Sequence, residues 1–241
     1  MANILAIDTS SMWCSVALSL DGQEPLFRHE AVAAGASQLL LPWVADLLGR
    51  AKLNLDELNA IAVDIGPGAF TGVRLGVAVV QGLAIAHQLP VIPVASLDAL
   101  AAQVMETSGF KNVMPKQFAV AVDARMDEIY WAQYTMQDQH IPVRLGNIHL
   151  SKPEEIDLVG IEYLAGSAIK EYGARLFAVG NSSTVQIPID ADLVISALGV
   201  LDCAKRKYHD GQTCNVKDLE PLYVRDKVAL TTAERVEAFK S

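Results

Sequence analysis

Ile4-Leu5-Ala6-Ile7-Asp8-Thr9-Ser10-Ser11 is a short apolar run that breaks off into a carboxylate and three hydroxyls. A continuous apolar run of this length, bounded by turn residues, predicts a strand buried on both faces. Trp13 to Leu20 reads as a second strand and Pro25 to Val32 as a third, with Asp21-Gly22 as the hairpin turn. The opening pattern then returns. Ala6-Ile7-Asp8-Thr9 is matched by Ala121-Val122-Asp123-Ala124, and Ala17 and Ala132 each follow their aspartate by nine residues. The two aspartates lie 115 residues apart in a chain of 241, which favours a duplicated domain.

The segments between the two copies read as α/β. Ser37 is a suitable cap for a helix running to Arg50. Ile61 to Ile65 is a short buried strand that enters Gly66-Pro67-Gly68-Ala69-Phe70-Thr71-Gly72, with a helix onward to His87. Val91 to Ala95 is a strand, and Ser96 or Asp98 opens another helix. In the second half, strands are expected at Gln117–Asp123, Glu128–Tyr134, Ile141–Leu150 and Leu176–Val179, the last with Gly180-Asn181 as its turn. A helix is expected over Ala191–Lys207. The boundary falls near Thr107–Lys116, so residues 1–108 make a first lobe, 109–225 a second, and 226–241 a polar, weakly patterned tail.

Apolar residues make up 51% and charged residues 20%, a globular composition that excludes disorder. The net charge of −9 argues against unaided binding to a phosphate backbone. The strongest apolar run, Leu75–Ala86, is interrupted by Gln81-Gly82 and is shorter than the roughly 20 residues of a membrane span. No basic segment precedes the first apolar run, so no signal peptide is expected. Cys14, Cys203 and Cys214 have no CxxC spacing and an odd count, as expected of reduced thiols in the cytoplasm.

Two stretches have the residue types of a nucleotide site. Asp8-Thr9 at a strand end can hold a metal-bound phosphate, or can satisfy backbone groups in a turn. The loop containing Gly66 and Gly68 opens a helix, where an anion can sit, but it lacks the Lys-Ser/Thr ending of a phosphate loop. Its glycines equally suit a tight turn where two backbones pass. Asp123, Arg125, Asp127 and Glu128 form a cluster that reads as a solvated, self-paired turn. The five histidines include no HxxxH or HExxH pair.

The helix after the loop carries one charge, Arg74, between Gly72 and Ala86, with small residues four apart at Gly72 and Gly76 and at Ala78, Gly82 and Ala86. A helix that is apolar all round must be covered all round. The preceding helix carries the stripe Leu40, Trp43, Val44, Leu47 and Leu48. Two such helices in an acidic chain point to a protein–protein interface, with burial under the second lobe as the alternative.

An ordered series spans residues 4–225: Ile4 to Ser10, Leu39-Leu40-Leu41-Pro42, Gly66 to Gly76, Asp123-Ala124-Arg125-Met126-Asp127-Glu128-Ile129-Tyr130 and Pro221-Leu222-Tyr223-Val224-Arg225. It resembles the TsaB (YeaZ) family of bacterial tRNA threonylcarbamoyladenosine biosynthesis proteins. The resemblance implies the fold of actin, Hsp70 and the sugar kinases (the ASKHA fold), an α/β architecture of two duplicated lobes, each with a mixed sheet and helices. It implies a non-catalytic partner of a homologous subunit, TsaD. With the small ATPase TsaE, that assembly transfers threonylcarbamoyl to the adenosine 3′ of the anticodon in tRNAs reading ANN codons. ATP and a metal are then expected on the partner subunits, no cofactor on this chain, and tRNA contact only through the complex.

The resemblance also implies where the partner binds. Leu39, Pro42, Trp43 and Asp46 on the first helix are expected at the contact. So are Gly72, Arg74, Leu75 and Gly76, followed by Val79, Val80 and Leu83, on the second. The same surface is expected to support homodimers in isolation. Where the catalytic homologue carries its HxxxH metal pair, this chain aligns Ser96 and Leu100. Two departures from the family pattern stand at Ala36-Ser37, usually His-Ser, and at Ala69, usually Ser. A small-molecule kinase or ATPase of the same fold is the competing reading and requires Mg-ATP on Asp8 and the glycine loop, with Asp123 as base. A metallopeptidase requires the missing histidine pair.

Overall fold

A computed structural model describes residues 2–32, 35–137, 141–177 and 187–225. Strands β1 (Ile4–Asp8), β2 (Trp13–Ser19) and β3 (Leu26–Ala31) form the expected antiparallel meander. Helix α1 (Ala36–Ala51) leads to β4 (Ala60–Asp64), and α2 (Phe70–His87) leads to β5 (Val91–Val94). β4 pairs parallel with both β1 and β5, giving the order β3-β2-β1-β4-β5. Helices α3 (Ser96–Val104) and α4 (Ser108–Val113) carry the chain to the second sheet.

The second sheet repeats the first. β6 (Gln117–Arg125), β7 (Glu128–Gln137) and β8 (Ile141–Ser151) form a second antiparallel meander. β9 (Leu164–Ala165) then adds parallel to β6, α5 (Ala168–Tyr172) follows, and β10 (Ile189–Asp190) adds parallel to β9. The order β10-β9-β6-β7-β8 matches the first sheet strand for strand, with β6 in the place of β1. Asp8 and Asp123 thus lie on equivalent strands, Asp8 at the end of β1 and Asp123 at the irregularity two residues before the end of β6.

Alternation along the strands builds five layers. Leu5, Ile7, Val16, Ile61 and Val63 face α1 and α2 in one core. Ile4, Ala6, Ala62 and Ile92 face the opposite way, onto α3 and α6 (Ala197–His209). Phe118, Val120, Ala132 and Tyr134 of the second sheet join that same core from the far side. Ala119, Ala121, Ile129 and Trp131 pack outward with Ala168 and Ile169 of α5. The two sheets therefore share a middle layer. α6, which follows the second sheet in sequence, packs on β1, β2, β4 and β5 of the first. Its start is docked there by Ala197 N, which donates to Ser15 Oγ at 2.8 Å.

Several boundaries differ from expectation. α1 is capped by Gly35 at φ +103°, and Ser37 lies inside its first turn with no capping bond. A positive φ reverses the chain without a hydroxyl acceptor, so the helix begins earlier. α2 begins at Phe70, which places Gly72 within the helix. α6 begins at Ala197 rather than Ala191, because Ser196 is held extended and accepts from Leu198 N. The expected strand at Leu176 is instead a 3-10 segment, Gly173–Phe177, whose Leu176 fills the outer core. Residues 178–181 of that strand and turn, and the tail 226–241, lie outside the described residues.

Candidate functional site

β1 and β4 are neighbours in register, so their terminal aspartates emerge side by side. Asp8 and Asp64 are both buried, at 0% and 1% exposure. Asp8 Oδ1 accepts from Ser10 N and lies 2.8 Å from Ser10 Oγ, which is also 3.0 Å from Asp64 Oδ2. Asp64 Oδ1 accepts from Gly66 N at 2.7 Å and from Ser96 Oγ at 2.6 Å. A hydroxyl has a single proton to donate. Ser10 Oγ therefore donates to only one of the two carboxyls, and Asp8 Oδ2 is buried with no hydrogen-bond partner among the described residues. Burial favours a proton held on this pair: it pushes Asp64 up to about 6, and it raises Asp8 well above the usual carboxylate range, helped by the charge of Asp64.

The glycine loop closes over this pair. Ala69 N, at the start of α2, donates to Ser10 O at 2.6 Å, and Thr9 Oγ1 donates to Gly72 O at 2.7 Å. A Cβ on Gly68 would lie 2.3 Å from Ser10 O, and one on Gly72 would lie 1.9 Å from Thr9 O. The glycines are there because the 8–10 turn passes against the helix start. Sequence alone left two uses open for each stretch, turn or anion cradle. The structure brings both stretches together and uses each to bury the other. Thr9 and Ser10 are each 3% exposed, and Gly66 is buried, while Gly68 is exposed on its outer side.

Ser96 and Leu100, the two residues that the resemblance aligns with a metal pair, are used in packing. Ser96 is fully buried on Asp64, and Leu100 is fully buried in the middle layer. Among the described residues, no group of three His, Cys, Asp or Glu is placed to hold a metal. Asp123, near the end of the equivalent strand, accepts from Arg125 N and Tyr172 OH and pairs with Arg125 at 3.2 Å. Asp127 pairs with Arg175, and Glu128 with Arg225. Only Asp123 and Arg125 therefore pair within the cluster, and the expected self-paired turn is instead held by arginines from elsewhere in the chain.

α1 and α2 lie together on the outer face of the first sheet. α2 has the length and composition to cross a membrane, yet only 28% of it is buried. Its inward side is Val73, Gly76, Val77, Val80 and Ala84. Ala78, Gly82, Ile85 and Ala86 are exposed, and Leu75, Val79 and Leu83 are half-buried. On α1, Leu41 and Pro42 are exposed and Leu39 and Asp46 half-buried, with Asp46 paired to Arg28 at 3.0 Å. Three of the expected contact residues are turned inward. Trp43 and Val80 are core residues, and a Cβ on Gly76 would meet Thr9 Oγ1 at 2.8 Å. Gly72 is half-buried under Thr9. Arg74 is exposed and stacks on Phe70 at 3.6 Å.

Sequence reasoning missed Asp64, although Ala62-Val63-Asp64 is a third copy of the triplet at 6–8 and 121–123. It also left Phe70, Tyr223 and Arg225 without a role.

The family model of TsaD, tRNA N6-adenosine threonylcarbamoyltransferase, matches residues 30–230. The chain is 34% identical to the tRNA threonylcarbamoyladenosine biosynthesis protein TsaB of Escherichia coli K12, covering 94% of this chain and 96% of that protein. It is 30% identical to the protein of the same name from Haemophilus influenzae, covering 93% and 94%. A Pseudomonas aeruginosa crystal structure, an uncharacterized protein with similarity to peptidase YEAZ, superposes with a TM-score of 0.81 at 35% identity, covering 93% of this chain and 100% of that one. A candidate N-acetylmannosamine kinase from Listeria monocytogenes shares the fold, with a TM-score of 0.50 at 11% identity over 87% of this chain and 99% of that one.

Proposed function

The chain belongs to the TsaB (YeaZ) family of tRNA threonylcarbamoyladenosine biosynthesis proteins, and from that premise we propose that it is the non-catalytic partner subunit of the threonylcarbamoyl-transferring complex. In this reading it binds the catalytic homologue TsaD through α1 and α2 and works in the cytoplasm beside the ATPase TsaE. ATP, metal and most of the tRNA contact belong to the partners.

The observation that carries the reading is α2. An 18-residue helix with apolar residues on all sides is covered on one side only by its own sheet. Its outer side presents Leu75, Val79, Leu83 and Ile85 with small residues between them, so another helix can approach closely. Asp46 and Arg74 supply polar contacts at the rim of that face. The burial of Asp8, Thr9 and Ser10 supports the non-catalytic half of the proposal, because a Mg-nucleotide must reach the carboxylate that holds its metal. Ser96 and Leu100 support it as well, since neither replaces an imidazole pair at a metal.

Reconstitution by omission tests this. The chain is mixed with its cognate TsaD, TsaE, tRNA, ATP and the synthase that makes threonylcarbamoyl-adenylate, and each protein is left out in turn. The proposal expects modification to require this chain, and expects the chain alone neither to hydrolyse ATP nor to modify tRNA. Modification at the full rate without it overturns the proposal.

A further inference from the structure

Two of the motifs that mark this chain, 123–128 and 221–225, are far apart in sequence and have no role in the partner face described above. The structure brings them together. Residues 219–225 run as a strap from α2, past the end of β4, to the β6–β7 turn. Gln81 Nε2 donates to Leu219 O at 2.9 Å, Leu222 N donates to Ile65 O at 2.7 Å, and Arg74 Nε donates to Tyr223 OH at 2.9 Å. The strap is thus tied to α2 and to the end of β4. Its last described residue reaches the other sheet. Arg225 Nη2 donates to Glu128 Oε2 at 2.6 Å and to Ala124 O at 3.1 Å, and Nη1 lies 3.0 Å from Met126 Sδ.

The β6–β7 turn that Arg225 grips is not one the chain favours. Arg125, Met126 and Asp127 hold φ of +59°, +57° and +62°, a left-handed conformation that Asp tolerates and Arg and Met disfavour. Three successive residues stay there only if the surroundings over-determine them. Arg225 grips the turn from the strap, and Arg175 holds Asp127 from the other side with bonds of 2.6 and 3.0 Å.

We propose that Arg225 is a positioning residue: by clasping the 124–128 turn it fixes the strap across the two sheets, and through Tyr223 it holds Arg74 and Phe70 in place at the start of α2. The consequence for partner binding rests on the reading under Proposed function. The clasp itself does not. The planar guanidinium serves an ion pair, a carbonyl and a sulfur at once, which an ammonium point charge cannot match. The shared middle layer holds the sheets together without the clasp, so its loss frees the strap and the turn and leaves the cores folded.

Hydrogen exchange on the full chain, followed by mass spectrometry, reads the clasp directly. Arg225→Ala is expected to speed exchange about tenfold in peptides covering 122–129 and 219–225, with strands β1 and β6 unchanged before those segments. Arg225→Lys should fall between the variant and the native chain. If Arg225→Ala does not fold, Glu128→Gln removes the ion pair alone and should give about a threefold change in the same peptides. Native exchange rates in the variant that folds overturn the clasp. Affinity for the catalytic homologue, measured on the same proteins, is expected to fall about tenfold for Arg225→Ala. Native affinity beside fast exchange overturns the positioning role. Failure of the native chain itself to bind overturns the partner reading, while the exchange result still decides the clasp.

Discussion

Asp8→Asn separates a packed junction from a ligand site. Both Asp8 and Asp64 are raised by burial, so the folded chain keeps protons that the unfolded chain has released. Stability then falls as pH rises, because the folded state binds more protons than the unfolded one. The contribution of Asp64 is fully present below its ordinary value of 3.8 and is lost as pH passes about 6, an interval worth about 3 kcal/mol. Asp8 is raised for the same reason, so its share is also lost as pH rises, with a single group changing stability by at most roughly 1.4 kcal/mol per pH unit. For a chain of this size that slope is about 3 to 6 °C in melting temperature per pH unit. Asparagine keeps an acceptor for Ser10 at Oδ1 and removes the ionisable group. Unfolding by urea or heat in half-unit steps from pH 5 to 8 should show the two proteins diverging, with Asp8→Asn the more stable at the alkaline end. All other titrating groups are common to both, so the difference isolates this pair. Parallel profiles, or a variant less stable throughout, refute the shared-proton junction.

Other outcomes follow from the same geometry. Gly76→Leu should fail to fold or melt far below the native chain, because even a Cβ there meets Thr9, whereas Gly82→Leu, with nothing within 4 Å of its Cβ, should melt like the native chain and lose partner binding. Gly72→Ala should destabilise by about 3 kcal/mol or more, read by urea titration, since Thr9 O occupies the space. Ser96→Ala leaves the buried Asp64 carboxyl short of a donor and should cost about 1 to 3 kcal/mol in the same assay. Val79→Glu should leave the melting temperature within a few degrees and weaken partner binding about a hundredfold, measured by calorimetry.

The duplicated strand–Asp pattern was readable in sequence because a strand buried on both faces is an unbroken apolar run, and its end is marked by the first polar residue. Ala6-Ile7-Asp8 and Ala121-Val122-Asp123 do lie on equivalent strands, although β6 runs two residues beyond Asp123. The orientation of α2 was not readable, for a physical reason. A helix apolar on every side has no polar face to set its phase, so Gly76 and Val80, which face the core, look the same in sequence as Gly82 and Val79, which do not. β9 and β10 are two residues each, too short for any period. Leu176-Phe177 is an apolar pair that fits strand or helix alike, and tertiary packing chose a 3-10 turn. The Asp8–Asp64 pair depends on the parallel register of β1 and β4, which no local pattern encodes. Arg225 on the 124–128 turn is a contact across about a hundred residues, legible only once both sheets are placed.

The central claim is that this chain acts through the outer face of α2. The most direct measurement is calorimetric titration of the catalytic homologue TsaD with the native chain and with Gly82→Leu, after confirming equal melting temperatures. The native chain should bind saturably and one-to-one, and the variant should lose at least about a hundredfold in affinity. Equal affinity for the two proteins contradicts that claim.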